Sequence, residues 1–266
     1  MYILLILLAF ILLFLSFFES HSISIEHSYL FKIRLATIKA FIGIAFFSYI
    51  ICEILSLFNL LSFNYVLISW ILINGLIIFL DKEKIKLNMF SIFSQEIIIP
   101  KKEKNILFFI FFLIILPLLL LAIFIAPNNW DSMAYHLPRV EHWIQNKNIY
   151  PYPTNIVRQL LTSPLSEYII ANFQILASTD SFSNLVQFAS FIFILFSATL
   201  FFSILKIGMK GQLFLLLALL SLPMMLFQAT TTQTDLLASF FFLSFILFSL
   251  LIIQSDNNFK KNFTFL

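Results

Sequence analysis

ILFFIFFLIILPLLLLAIFIA occupies residues 106–126 and carries no charge. A run of this length matches the roughly 30 Å hydrocarbon core of a bilayer when wound as a helix. It is not isolated. Residues 2–18, 36–58, 63–80, 185–205, 213–227 and 236–253 are similarly apolar. A chain of 266 residues that is 61% hydrophobic and 11% charged cannot hide so many apolar helices inside one soluble core. Mean hydropathy is +1.00. The fold class that follows is an all-α polytopic membrane protein.

The same pattern predicts seven full spans. An eighth apolar segment, residues 164–177, is too short to cross when straight. It is expected to be a re-entrant or juxtamembrane half-helix packed against protein. The first run has no basic start and no small-residue cleavage site, so it reads as a retained helix rather than a signal peptide. Pro117 lies inside the fourth run and predicts a kink there.

Lysine placement orients the spans. Residues 81–104 read as a charged loop with six Lys against four acids. Lys32, Arg34, Lys206 and Lys210 belong to the same side if positive charge stays in the cytoplasm. Residues 128–162, residues 227–235 and the amino terminus then face outward. The net charge of +3 is explained by these connections and implies no nucleic-acid partner. The single Cys, Cys52, lies in an apolar run and excludes an internal disulfide.

The outward segment NNWDSMAYHLPRVEHW concentrates chemistry that is scarce elsewhere. Asp131 and Asp235 fall on one side at the same boundary, where charge is expensive and often functional. A pair of acids there can serve as a base or hold a metal over a lipid-linked substrate; the plainer reading is two helix caps. Asp131 is expected to cap a turn over residues 132–136, with Pro138 in the first turn of a second short helix. Met133, Leu137, Val140 and Ile144 form an apolar stripe, with Tyr135, Arg139 and His142 pointing away from it. Arg139 and Arg158 suit phosphate oxygens, or anchor headgroups. His136 and His142 read as metal ligands or hydrogen bonders, though their spacing matches no known metal motif. Trp130, Trp143, Tyr150 and Tyr152 read as an aromatic belt or as sugar and prenyl platforms.

Three stretches carry a family resemblance: NNWDSMAYHLPRVEHW, YPTNIVRQLLTSPLSEYIIANFQILASTDSFSNLVQF and SLPMMLFQATTTQTDLLASFF. Together they resemble the GT-C class of membrane glycosyltransferases, specifically bacterial members of the protein O-mannosyltransferase and aminoarabinose-transferase superfamily. The resemblance implies a catalytic membrane core over residues 106–254, an amino-terminal three-helix extension and loop over 1–105, and a tail over 255–266. It implies a polyprenyl-phosphate-sugar donor and a lipid, glycan or protein acceptor. Asp131 matches the family's presumed base and Asp235 its second acid. His136, Tyr135, His142, Trp143, Arg139 and Arg158 become substrate-binding candidates. A divalent metal would fall to Glu167 and Asp235. Ser163 precedes Pro164 where the family often has an acid, and no acid follows Asp131; both departures point away from protein mannosylation. The family fold has more spans than this chain, which therefore reads as a fragment or truncated member. A bacterial inner membrane is the implied location. A flippase for lipid-linked saccharides and a nonenzymatic membrane subunit are the rival functions, although no internal repeat of the transporter kind is visible.

Overall fold

The computed structural model describes residues 2–18, 29–94 and 99–263. Every regular element among them is helical. In chain order they are α1 (Leu4–Phe17), α2 (Tyr29–Leu57), α3 (Phe63–Ser94), α4 (Lys101–Ile110), α5 (Leu116–Phe124), α6 (Leu137–Asn146), α7 (Arg158–Leu161), α8 (Leu165–Ala177), α9 (Leu185–Ile204), α10 (Met209–Leu220), α11 (Pro223–Gln228) and α12 (Asp235–Phe263). One π turn, Phe111–Ile115, joins α4 to α5, and another, Ser132–His136, leads into α6.

Five helices are long and apolar enough to cross a membrane: Tyr29–Leu57, Phe63–Ile92, Lys101–Phe124, Leu185–Ile204 and Asp235–Gln254. The expected seven continuous spans are therefore not all present as single helices. Helix α1 is shorter. The expected run over residues 213–227 is broken into α10 and α11, because Pro223 disfavours helical geometry at Leu222, which is extended at φ −82°, ψ 107°. Helix α1 packs along α2 and α3, and α10 along α9.

One further expectation is corrected. The charged stretch after residue 80 is not a loop: α3 continues to Ser94 through a single non-helical residue, Asp81. The stretch KEKIKLNMF holds no Gly or Pro and consists largely of good helix formers. The tail is likewise helical to Phe263. Between the first two apolar runs the chain is already helix from Tyr29, and residues 19–28 lie outside the described residues. At Pro117 the structure shows the π turn of residues 111–115 just upstream, which absorbs the missing N–H and the crowding of the preceding carbonyls.

In lipid the hydrophobic effect does not hold helices together, so close packing and interhelical hydrogen bonds must. Both are visible. Gly43 of α2 lets α1 approach so closely that a Cβ there would meet Leu13 Cδ1 at 2.9 Å. Asn74 of α3 donates to Leu5 O of α1 at 3.1 Å, and Asn88 donates to Leu15 O at 2.8 Å. Tyr2 packs edge-on against Phe63, so the start of α1 lies beside the start of α3. Helix α9 is the most enclosed long helix, with 61% of its apolar window buried, and α12 and α2 pack along it.

Helix α8 has 13 residues, about 20 Å, and is not among the helices long enough to span. Its first turn lies by Ile42 and Tyr49 of α2, and its last residue by Ser62 at the α2–α3 turn. Between them Asn172 accepts the Trp70 indole N–H at 2.9 Å and donates to Tyr168 O at 2.8 Å. The half-helix thus fills the bundle end that carries the polar residues of the next section.

A carboxylate site at one end of the bundle

The segment after α5 returns over that same end. Lys147 O accepts the Leu61 N–H at 3.0 Å, Asn148 donates to Asn59 Oδ1 at 2.7 Å, and Ile149 N–H donates to Ser56 Oγ at 2.8 Å. These bonds fasten the end of α6 to the α2–α3 turn. Asn184, just before α9, donates to Ile125 O at 2.9 Å, which brings the exit of α5 and the entry of α9 to this end as well.

Asp131 does not cap the turn it precedes. Its backbone is already helical and its side chain makes no cap bond; Asn129 Oδ1 accepts the Ser132 N–H instead, at 2.8 Å. The freed carboxylate meets two other groups. Gln233 donates to Asp131 Oδ2 at 3.0 Å, and Arg158 Nη1 lies 3.9 Å from Oδ1. The Tyr135 phenol feels the charge of the same carboxylate. The Arg158 guanidinium sits 5.7 Å from the centre of the Tyr135 ring. Asp235 opens α12 nearby, accepting from Gln228 at 3.0 Å, and its charge also reaches Tyr135. Burial pushes the Tyr135 phenol above its usual range; the Asp131 carboxylate adds to the rise, Arg158 opposes it, and Asp235 adds a smaller push. The Asp131 side chain is 31% exposed and Arg158 71% exposed, so this cluster is open.

Arg139 belongs to a second, closed cluster. It does not point away from an apolar stripe; it is 6% exposed, as Leu137 and Val140 are also buried, while Met133 is the exposed member. Its Nη1 donates to Thr162 O and Thr162 Oγ1, both at 2.9 Å, and lies 3.4 Å from Glu167 Oε1. Its guanidinium lies 5.0 Å from the Trp143 ring centre. His136 Nδ1 stands 2.8 Å from the same Glu167 oxygen. Glu167 is fully buried, and its second oxygen has no partner. His142 is removed from both clusters by stacking on Tyr152 at 4.0 Å.

Among the described residues no group of three or more His, Cys, Asp or Glu gathers to hold a metal ion. Glu167 does not fit the metal role expected of it, because the Arg139 cation beside it repels a second cation. Asp235 accepts from Gln228 and belongs to no such group.

Sequence reasoning missed Gln233, Gln228 and Gln159. Gln159 donates to Ala134 O at 2.9 Å and accepts from Tyr152 and Thr154, tying the polar loop to the π turn. The only local signal for Gln233 is the polar run TTTQTD before α12. An apolar groove of about 420 Å³ opens beside Pro164, lined by Ile42, Phe46, Tyr49, Leu165, Tyr168 and Phe241. Comparison of the chain with family models, with curated proteins and with solved structures finds no match.

Proposed function

We propose that this membrane protein is a GT-C-type glycosyltransferase that moves a sugar from a polyprenyl-phosphate carrier to an acceptor hydroxyl at the end of the bundle bearing Asp131. The observation that carries the reading is the Asp131 carboxylate: open, freed from capping, and held by Gln233 and Arg158 at the end of an apolar helix bundle. Asp131 takes the acceptor proton. The acceptor oxygen forms a bond to the anomeric carbon from the face opposite the phosphate. The bond between that carbon and the phosphate oxygen breaks, and its electron pair leaves with the phosphate. The result is inversion. Arg158, with most of its guanidinium exposed, neutralises the departing phosphate. Arg139 has no such part; it braces the loop from inside. The groove beside Pro164 offers a hydrocarbon surface to an isoprenoid tail. The acceptor is a lipid, glycan or protein hydroxyl. The loop faces outside the cytoplasm of a bacterial inner membrane, since the Lys-rich end is the cytoplasmic one.

The test is Asp131→Asn in membranes, with transfer from a labelled polyprenyl-phosphate sugar normalised to folded protein. Asn keeps the hydrogen bond from Gln233 but cannot take the proton. A loss of roughly 10²-fold or more is expected. Near-normal transfer would sink the role of Asp131, and no transfer by the unsubstituted protein with any such donor would sink the reading as a whole.

A further inference from the structure

At the opposite, Lys-rich end lies a cation that no described residue pairs with an opposite charge. Arg34, in the second turn of α2, is 5% exposed. Its Nε–H donates to Leu30 O at 3.3 Å and its Nη1–H to Gln212 Oε1 at 2.9 Å. Gln212 is itself fixed, donating to Ile207 O at 2.9 Å. Both acceptors of Arg34 are neutral. No ion pair among the described residues includes it. Its Nη2 makes no hydrogen bond there, yet it is not among the sealed polar atoms, so that edge of the guanidinium opens to the surface.

A buried charge without an opposite charge is strongly disfavoured unless an anion comes to it. The surroundings make the need sharper. Lys206 and Lys210, both exposed, flank Ile207 in the turn that leads to Gln212, and Lys32 precedes Arg34 on α2. None can neutralise it. Lys39 is the next cation of α2 and an uncharged run, residues 40–52, follows it, so Arg34 lies toward the headgroup end of this apolar helix. The anion at that depth is a lipid phosphate. A planar guanidinium with a free edge matches two phosphate oxygens better than an ammonium does.

We infer that Arg34, braced by Gln212 and rimmed by Lys206 and Lys210, forms a binding site for the phosphate of an anionic glycerophospholipid. The site is independent of the glycosyltransferase reading.

The test uses the full chain in neutral detergent. First-adduct binding of phosphatidylglycerol and of phosphatidylcholine with the same acyl chains is compared by native mass spectrometry. A preference for phosphatidylglycerol of about tenfold or more is expected. Arg34→Gln should remove most of it, whereas Lys210→Gln should remove about fivefold or less, the share of one surface cation. A second measurement needs no variant: phosphatidylglycerol should raise the thermal midpoint of the unsubstituted protein and phosphatidylcholine should not. Equal binding of the two lipids, or a preference unchanged by Arg34→Gln, overturns the inference. A midpoint rise reproduced in full by inorganic phosphate overturns the lipid assignment. Glu19 and Glu26 lie outside the described residues; if Glu26→Gln creates a preference that the unsubstituted protein lacks, the counter-charge is internal and the inference fails.

Discussion

Replacing Glu167 by Leu should be among the most damaging single changes in the protein, and replacing Arg139 together with it should cost little more. Glu167 is fully buried and its Oε1 faces both His136 Nδ1 at 2.8 Å and Arg139 Nη1 at 3.4 Å. Glu167→Leu strands the Arg139 cation among neutral acceptors. Breaking a buried pair from one side costs about 3–5 kcal/mol. Arg139→Met strands the carboxylate instead, though His136 remains as its partner, and it forfeits the contact with Trp143 and the bonds to Thr162; about 3 kcal/mol is expected. The double variant holds no stranded charge and should cost about 4 kcal/mol, not the sum of the two, a coupling of about 3 kcal/mol. Reversible unfolding in mixed micelles, followed by Trp fluorescence, reads all four proteins. Additivity within about 0.5 kcal/mol would refute the claim that Glu167 serves as the counter-ion of Arg139.

Three other outcomes can be checked directly. Ultraviolet titration should show the Tyr135 phenol ionising above its usual range; Asp131→Asn should bring it down, and Arg158→Gln should raise it further. Because that pKa is raised on folding, the phenol's contribution to stability is intact below about pH 10 and fades as pH climbs through the folded value; a fading already at neutral pH would contradict this. Ser178 closes α8 at φ 56°, is exposed and makes no side-chain bond, so Ser178→Gly should stabilise by about 0.5–1 kcal/mol in the same unfolding assay, whereas a loss would mean the left-handed cap is not strained. Cys52 is buried and should stay silent to impermeant maleimide, so Tyr150→Cys should label in intact cells and Phe90→Cys only after permeabilisation; the reverse pattern would invert the proposed orientation.

The apolar runs were legible because lipid imposes length and hydropathy on each helix separately, and both can be counted along the chain. The half-helix at residues 165–177 was legible for the same reason: it is too short. What resisted reading depended on partners far away in sequence. Arg139 looks like a surface phosphate binder until Glu167, 28 residues later, is seen beneath it. Asp131 looks like a helix cap because its position suits one; Asn129 takes that task, and the partner that holds Asp131, Gln233, is 102 residues away. The extension of α3 beyond residue 80 was hidden by charge, which marks the edge of hydrocarbon and says nothing against a helix continuing into water.

The π turn at residues 132–136 can be understood as a matter of helical phase. A π turn holds one residue more than an α turn, and one residue is about 100° of rotation. In an uninterrupted α-helix Tyr135 and Arg139 would share a face, four residues apart. With the extra residue inserted before α6, Tyr135 turns with Asp131 toward the open end of the bundle, while His136 and Arg139 turn inward onto Glu167. A single-residue deletion within this turn would rotate the two sets back into step, carrying the buried cation outward or the open carboxylate inward. The separation between an open carboxylate surface and the buried ionic cluster beneath it is thus encoded in a count of residues, and chemically conservative substitutions leave it untouched where one deletion would abolish it.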